Sequence, residues 1–220
     1  MILPLKSPVR ALFAVVLIPL FLAACADLNG PAPSLGPIFG SDVADHYAAR
    51  QDGDYLVPAI NYRSIPPQFL RQEVSYPTDQ PPGTVVVDPQ NHFLYLVQDN
   101  GRALRYGVGV GKAGLAWSGT AHVGYKRQWP RWTPTSDMIG REPDRYGPWS
   151  KGMDGGPQNP LGARALYLFK DGKDTLYRIH GTTEPWSIGK SMSSGCIRML
   201  NQDVIDLFQR VPTGTKVVVL

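Results

Sequence analysis

His180-Gly181-Thr182-Thr183, Gly189 and Ser193-Ser194-Gly195-Cys196-Ile197-Arg198-Met199 form the stretch around which the remaining sequence can be arranged. It holds one of only four histidines and one of only two cysteines in the chain. A thiol becomes a useful nucleophile when a nearby base or positive charge favours the thiolate. An imidazole titrates near neutral pH, so it can take that proton and return it to a leaving group. Cys196 is therefore a candidate nucleophile and His180 a candidate general acid and base. Gly195 lets the chain turn sharply just before the thiol, so that neighbouring backbone N–H groups can point at a developing oxyanion. Arg198 adds a fixed positive charge suited to a substrate carboxylate. The plainer alternative is a structural cysteine beside an unrelated histidine. The framing by Gly, Ser and Arg favours the site.

The same residues resemble the signature of the L,D-transpeptidase catalytic domain, the YkuD family. That pattern is HG(T), a glycine, then S-x-G-C-[VI]-R. Many members carry a histidine immediately before the Gly-Cys pair, where this chain has Ser194. The blocks Gly107 to Gly111, Trp129 to Pro134 and Gly155 to Ala163 also look like the family's upstream segments, extending the resemblance over about residues 84–220. It implies a mainly β fold, a β-sandwich or barrel-like catalytic domain with one or two short helices. It implies that Cys196 attacks the carbonyl between meso-diaminopimelate and D-Ala of a peptidoglycan stem tetrapeptide, with His180 promoting the thiolate and protonating the departing D-Ala. The Gly181 backbone carbonyl would orient the imidazole, and backbone N–H groups at Ser194 and Gly195 would hold the oxyanion. Arg198, Ser193 and Trp186 are candidate substrate-binding residues. No metal and no organic cofactor is implied. The thioester can be resolved by an amine of a second stem peptide, by water, or by an amine of an envelope protein. A non-catalytic module that binds peptidoglycan is the competing class.

Chain order separates thiol enzymes further. Papain-like proteases place the histidine after the cysteine, whereas no histidine follows His180 here. Cys25 lies in a targeting segment, which leaves Cys196 as the one internal thiol and excludes an intrachain disulfide scaffold or a cysteine-built zinc site. With 220 residues, 43% hydrophobic and 18% charged, the chain fits one folded domain with an extra segment. Its 23 Gly and 21 Pro favour many short strands over a helical bundle. The net charge of +4 suits an anionic envelope, and no dense Lys/Arg run points to nucleic acid.

Residues 1–24 read as a signal peptide, with Lys6 and Arg10 before an apolar stretch from Ala11 to Ala24. That stretch is short for a membrane-spanning helix, which needs about 20 apolar residues. Leu22-Ala23-Ala24-Cys25 resembles a lipobox, which would lipidate Cys25 and anchor the chain to a membrane; Ala24-Cys25-Ala26 can also be read as an ordinary cleavage site. Either reading exports the protein to the periplasm or cell envelope. Residues 25–58 read as a flexible tether, 59–83 as an extension docking on the domain through Phe69 and Tyr76, and 84–220 as the catalytic domain. Strands are expected at Thr84 to Asp88, at His92 to Val97 and, across the turn Asp99-Asn100-Gly101, at Arg102 to Val110. His46 and His92 carry no expected role, and His122 none that its neighbours identify. Trp117, Trp129, Trp132 and Trp149 can either stack on substrate or close the core over long loops. A second hairpin across Asp171-Gly172 would deliver His180 to a strand end. Gln202 to Arg210 is the clear helix, with Asn201 as its expected cap and Pro212 beyond its end, and Lys216 to Leu220 is the last strand.

Overall fold

Residues 41–111, 118–192 and 195–220 are described in this computed structural model. In chain order they form α1 (Ser41–His46), β1 (Arg50–Asp52), β2 (Tyr55–Val57), β3 (Gln72–Ser75), β4 (Val85–Asp88), β5 (Phe93–Val97), β6 (Arg102–Gly107) and β7 (Gly119–Gln128). Then follow α2 (Ser136–Arg141), α3 (Pro143–Tyr146), β8 (Arg164–Lys170), β9 (Lys173–His180), β10 (Ile197–Arg198), α4 (Asn201–Arg210) and β11 (Lys216–Val219). The protein is mostly β with short helices, as its glycine- and proline-rich, turn-punctuated sequence requires.

One nine-stranded sheet has the order β10-β9-β8-β7-β11-β4-β5-β6-β3. Val85, Val86 and Val87 are buried on both faces of β4, the pattern of a central strand. The hairpins form where their turns demand. Asn100 and Gly101 have φ of 59° and 66°, and Asp171 and Gly172 have φ of 51° and 74°, the paired left-handed residues of a tight two-residue turn. β10, at one end of the sheet, is joined to the chain that leaves β6, next to the other edge strand β3. Gly109 N–H donates to the Arg198 carbonyl at 2.9 Å, and Arg198 N–H donates back at 2.7 Å. This closure makes the sheet barrel-like and brings β10 against the chain leaving β6. Val85, Leu94, Tyr106, Val123, Leu166, Ile179 and Met199 fill the interior.

α4 packs Val204, Ile205 and Leu207 inward, as its apolar spacing requires. Its polar face is buried too, and the reason corrects the expected tether. Residues 41–58 fold onto the domain instead of hanging free. Tyr47 and Val57 are each 1% exposed. Asp203 accepts hydrogen bonds from the Tyr47 hydroxyl at 3.0 Å and lies 2.8 Å from His46 Nε2. Gln202 Nε2 donates to the Pro58 carbonyl at 2.9 Å. His46 is therefore a partner of the fully buried Asp203. Cys25 and the signal segment lie outside the described residues.

Asn201 does not cap α4. Leu200 occupies the cap position, and the Asn201 side chain bridges two loops by accepting from Ala163 N–H at 3.0 Å and donating to the Thr182 carbonyl at 3.1 Å. The far end of α4 is closed by Lys126, whose Nζ donates to the Phe208 and Val211 carbonyls at 2.7 Å each. His92 precedes β5 at φ 61°, in a turn and not within the expected strand, with Nε2 3.1 Å from Ser191 Oγ. α2 and α3 were not expected. Neither buries a residue, so neither leaves an apolar period in the sequence. Thr135 caps α2 by accepting from Met138 N–H at 3.2 Å, and Pro143 starts α3.

Candidate functional site

β9 and β10 run parallel, with Ile197 beside Ile179 and Arg198 beside His180. Side chains alternate across a strand, so one set faces the core and the next faces out. Ile179 and Ile197 are the buried set. Arg178, His180, Cys196 and Arg198 all line one cavity of about 530 Å³. Its opposite wall comes from the segment after β7, with Trp132, Tyr146 and Trp149, and its floor includes Tyr167 of β8. Sixteen residues apart in sequence, the thiol and the imidazole share this cavity because β9 and β10 are adjacent: the register sets Cys196, just before β10, beside Arg178, two positions along β9 from His180.

His180 is 5% exposed, and its Nδ1 lies 2.6 Å from the Gly181 carbonyl. In neutral imidazole Nδ1 then donates, leaving Nε2 as the acceptor for a thiol proton. Gly181 is required by a close approach: a side chain there would collide with the Asn201 amide oxygen that joins the two loops. Gly195 has φ 96°, a conformation that turns the chain immediately before Cys196. Ser193 and Ser194 lie outside the described residues, so the expected roles of Ser193 with substrate and of Ser194 at the oxyanion have no geometry to report.

Burial pushes the His180 pKa down to about 4, helped by the Arg198 and Arg178 charges and opposed by backbone hydrogen bonds to Gly181 and Leu161. Burial also raises the Cys196 thiol above its ordinary value of 9.0, against a backbone hydrogen bond from Arg178 and the charges of Arg178 and Arg198. Both shifts disfavour a preformed thiolate–imidazolium pair. Alkylation of Cys196 by iodoacetamide is therefore expected to be slow at neutral pH and to keep rising about tenfold per pH unit through 9.0. A rate plateau between pH 5 and 8 would refute this.

The arginines of the cavity are held by carboxylates. Arg198 Nη1 lies 2.8 Å from Glu184 Oε2. Arg178 makes a two-pronged pair with Asp174 at 2.7 and 2.8 Å, and its guanidinium sits 4.4 Å from the Tyr167 ring centroid. Arg131 pairs with Asp154 and Arg145 with Glu142. Sequence reasoning named Arg198 but missed Arg178, whose place beside Cys196 follows from strand pairing alone. It also missed Asn159, a buried hub whose side-chain amide donates to the Pro130, Met153 and Asp154 carbonyls and so holds the loop bearing Trp132. Trp186 lies outside the cavity lining, 54% exposed, with Lys190 Nζ 5.3 Å from its ring centroid. Trp132 and Trp149 do line the cavity, whereas Trp129 donates its indole N–H to Asp52 at 2.8 Å. Trp117 lies outside the described residues. Among those residues, no group of three His, Cys, Asp or Glu side chains is placed to hold a metal ion.

A family model for the L,D-transpeptidase catalytic domain (YkuD) matches residues 82–219. The chain is 32% identical over 152 residues to the protein named Probable L,D-transpeptidase YbiS of Escherichia coli K12, covering 67% of this chain and 47% of that one. It is 29% identical over 195 residues to Probable L,D-transpeptidase ErfK/SrfK of the same organism, covering 86% and 59%. The chain spans about half the length of these curated relatives. A crystal structure from Brucella melitensis, named as a probable carnitine operon oxidoreductase, matches at 56% identity with a TM-score of 0.50, covering 73% of this chain and 99% of that one.

Proposed function

Since the chain belongs to the L,D-transpeptidase catalytic domain family, we propose that it cross-links peptidoglycan through a thioester on Cys196. The substrate is a stem tetrapeptide, and the bond cut joins meso-diaminopimelate to D-Ala. The observation that carries the reading is the common cavity of Cys196 and His180, with the imidazole tautomer set by the Gly181 carbonyl. The Cys196 sulfur attacks the carbonyl carbon as His180 Nε2 takes the thiol proton. The C–N bond then breaks, and the same proton leaves with the D-Ala amine. In the second half, the side-chain amine of a diaminopimelate on another stem attacks the thioester. His180 takes a proton from that amine, and Cys196 departs and is reprotonated. The product is a 3→3 cross-link. Gly195, in its left-handed turn, and Ser194 supply the backbone donors proposed for the oxyanion.

The support for an enzyme over a binding module is the investment in a nucleophile. A module that only held the wall would need neither a fixed tautomer nor a thiol aimed into the same cavity. Envelope localisation, with Cys25 as the lipidated residue, belongs to the same proposal and rests on residues 1–25 of the sequence.

The purified protein incubated with disaccharide-tetrapeptide is expected to yield a cross-linked dimer with loss of one D-Ala, read by mass. The Cys196→Ala chain should give none. Loss of D-Ala without a dimer would assign hydrolysis, or transfer to an envelope protein, in place of cross-linking. Unchanged substrate with a reactive thiol would leave the protein a binding module.

A further inference from the structure

A second groove of about 320 Å³ lies beside the catalytic cavity, lined by Tyr125, Arg127, Gln128, Arg131 and Tyr167 among others. Tyr167 and Arg131 line both, so the two adjoin across these side chains, along β8 and the start of the segment after β7. A row of stacked groups builds the shared wall. Tyr125 and Tyr167 stack at 4.1 Å with 16° between their planes. The Arg127 guanidinium stands 5.2 Å from the Tyr125 ring, and that of Arg178 stands 4.4 Å from the Tyr167 ring. The row Arg127, Tyr125, Tyr167, Arg178 thus runs from the groove to the strand position beside Cys196.

Charge distinguishes its two ends. Arg131, Arg145, Arg178 and Arg198 each have a carboxylate partner. Arg127 is exposed, and none of the described residues pairs a carboxylate with it. No acidic side chain lines the groove, which carries two guanidiniums, one side-chain amide and aromatic edges. Such a surface recognises an extended peptide bearing carboxylates, since a guanidinium pairs with a carboxylate in two-pronged geometry. The tyrosines stack on each other and carry the Arg127 and Arg178 guanidiniums against their rings, so they offer edges and hydroxyl groups more than ring faces.

Two substrates must reach one sulfur in succession. The donor stem has to fill the space around Cys196 and His180 to present its scissile carbonyl. The amine that resolves the thioester needs a separate way in. We propose that the groove of Arg127 and Gln128 is the acceptor site, holding a carboxylate of the second stem peptide on Arg127 while its amine passes Tyr167 toward the thioester. This rests on the reading of the protein as a transpeptidase, and it assigns Arg127 to the transfer half-reaction alone.

The test separates the two halves on the full chain. Acylation is followed as D-Ala release from a tetrapeptide donor whose diaminopimelate amine is blocked. Transfer is followed as cross-link formed against increasing concentrations of a tripeptide acceptor. Arg127→Gln is expected to raise the acceptor concentration for half-maximal transfer about tenfold or more, the effect of losing one charge-assisted hydrogen bond, while acylation keeps its wild-type rate. An acceptor with its carboxylates amidated should show the same loss with the wild type and no further loss with the variant. An unchanged acceptor dependence, or an equal fall in both half-reactions, would overturn the acceptor site. Absence of acylation in the wild-type chain would instead overturn the transpeptidase reading, and the acceptor site with it.

Discussion

His180→Gln is expected to slow acylation of Cys196 by roughly a thousandfold at pH 7, the middle of the range for a general base that also serves as the acid. The size follows from the thiol. Burial holds Cys196 above its ordinary value of 9.0, so the unaided site contains little thiolate at neutral pH. The positive charges of Arg178 and Arg198 only offset that burial. All thiolate character at pH 7 has to come from transfer to His180 during attack, and glutamine cannot accept that proton. The variant should therefore recover with hydroxide: its rate should climb about tenfold per pH unit through pH 9, narrowing the gap to wild type. The wild-type rate should fall on the acid side only as pH approaches about 4, where the imidazole protonates. Acylation of the variant at the wild-type rate at pH 7 would remove His180 from the mechanism.

Cys196 and His180, the two groups proposed to react, could be picked out in the sequence because they come with local demands. A glycine after His180 and another before Cys196 mark a close approach and a left-handed turn, and both are one-residue signals. Arg178 carries no such mark. It is an ordinary strand residue until β9 and β10 pair and set it beside Cys196, a fact of long-range register. Asn201 was misassigned because a cap and a loop bridge ask for the same side chain, and only the neighbouring loops decide between them. The hairpins and the valine strand were plain because turn chemistry and β-branched runs are local. Residues 41–58 were hidden for the opposite reason. Their two strands have three residues each, and their buried side chains are scattered, so no period accumulates.

That hidden segment carries the largest expected stability effect. Asp52→Ala should destabilise the fold by about 3 kcal/mol, toward the lower end of what breaking a buried ion pair costs. Asp52 receives both terminal nitrogens of Arg164 at 2.7 Å, and the Trp129 indole N–H at 2.8 Å. The Arg164 side chain is 5% exposed and that of Asp52 15%, which places the loss below that of a fully enclosed pair. Without the carboxylate, the guanidinium stays buried 5.2 Å from the Phe208 ring with the Ala163 carbonyl as its acceptor. Against a total stability of about 5–15 kcal/mol, that is a large fraction. The consequence reaches the site, because the Arg164 carbonyl accepts from Gly181 N–H at 3.0 Å and Ala165 pairs with His180. Asp52 therefore braces the strand that carries His180, although it precedes the matched residues 82–219. The sign of its pH dependence follows from Arg164, which lowers the Asp52 pKa below 3.8. The stabilisation is present above 3.8 and is lost as pH falls through the folded-state value, so the variant should show a shallower acid loss than wild type. Urea unfolding of wild type, Asp52→Ala, Arg164→Met and the double variant closes the cycle. The double variant is expected to recover much of the loss, since removing both charges leaves no buried cation. A loss below about 1 kcal/mol for Asp52→Ala would place the pair among ordinary surface bridges and detach residues 41–58 from the support of His180.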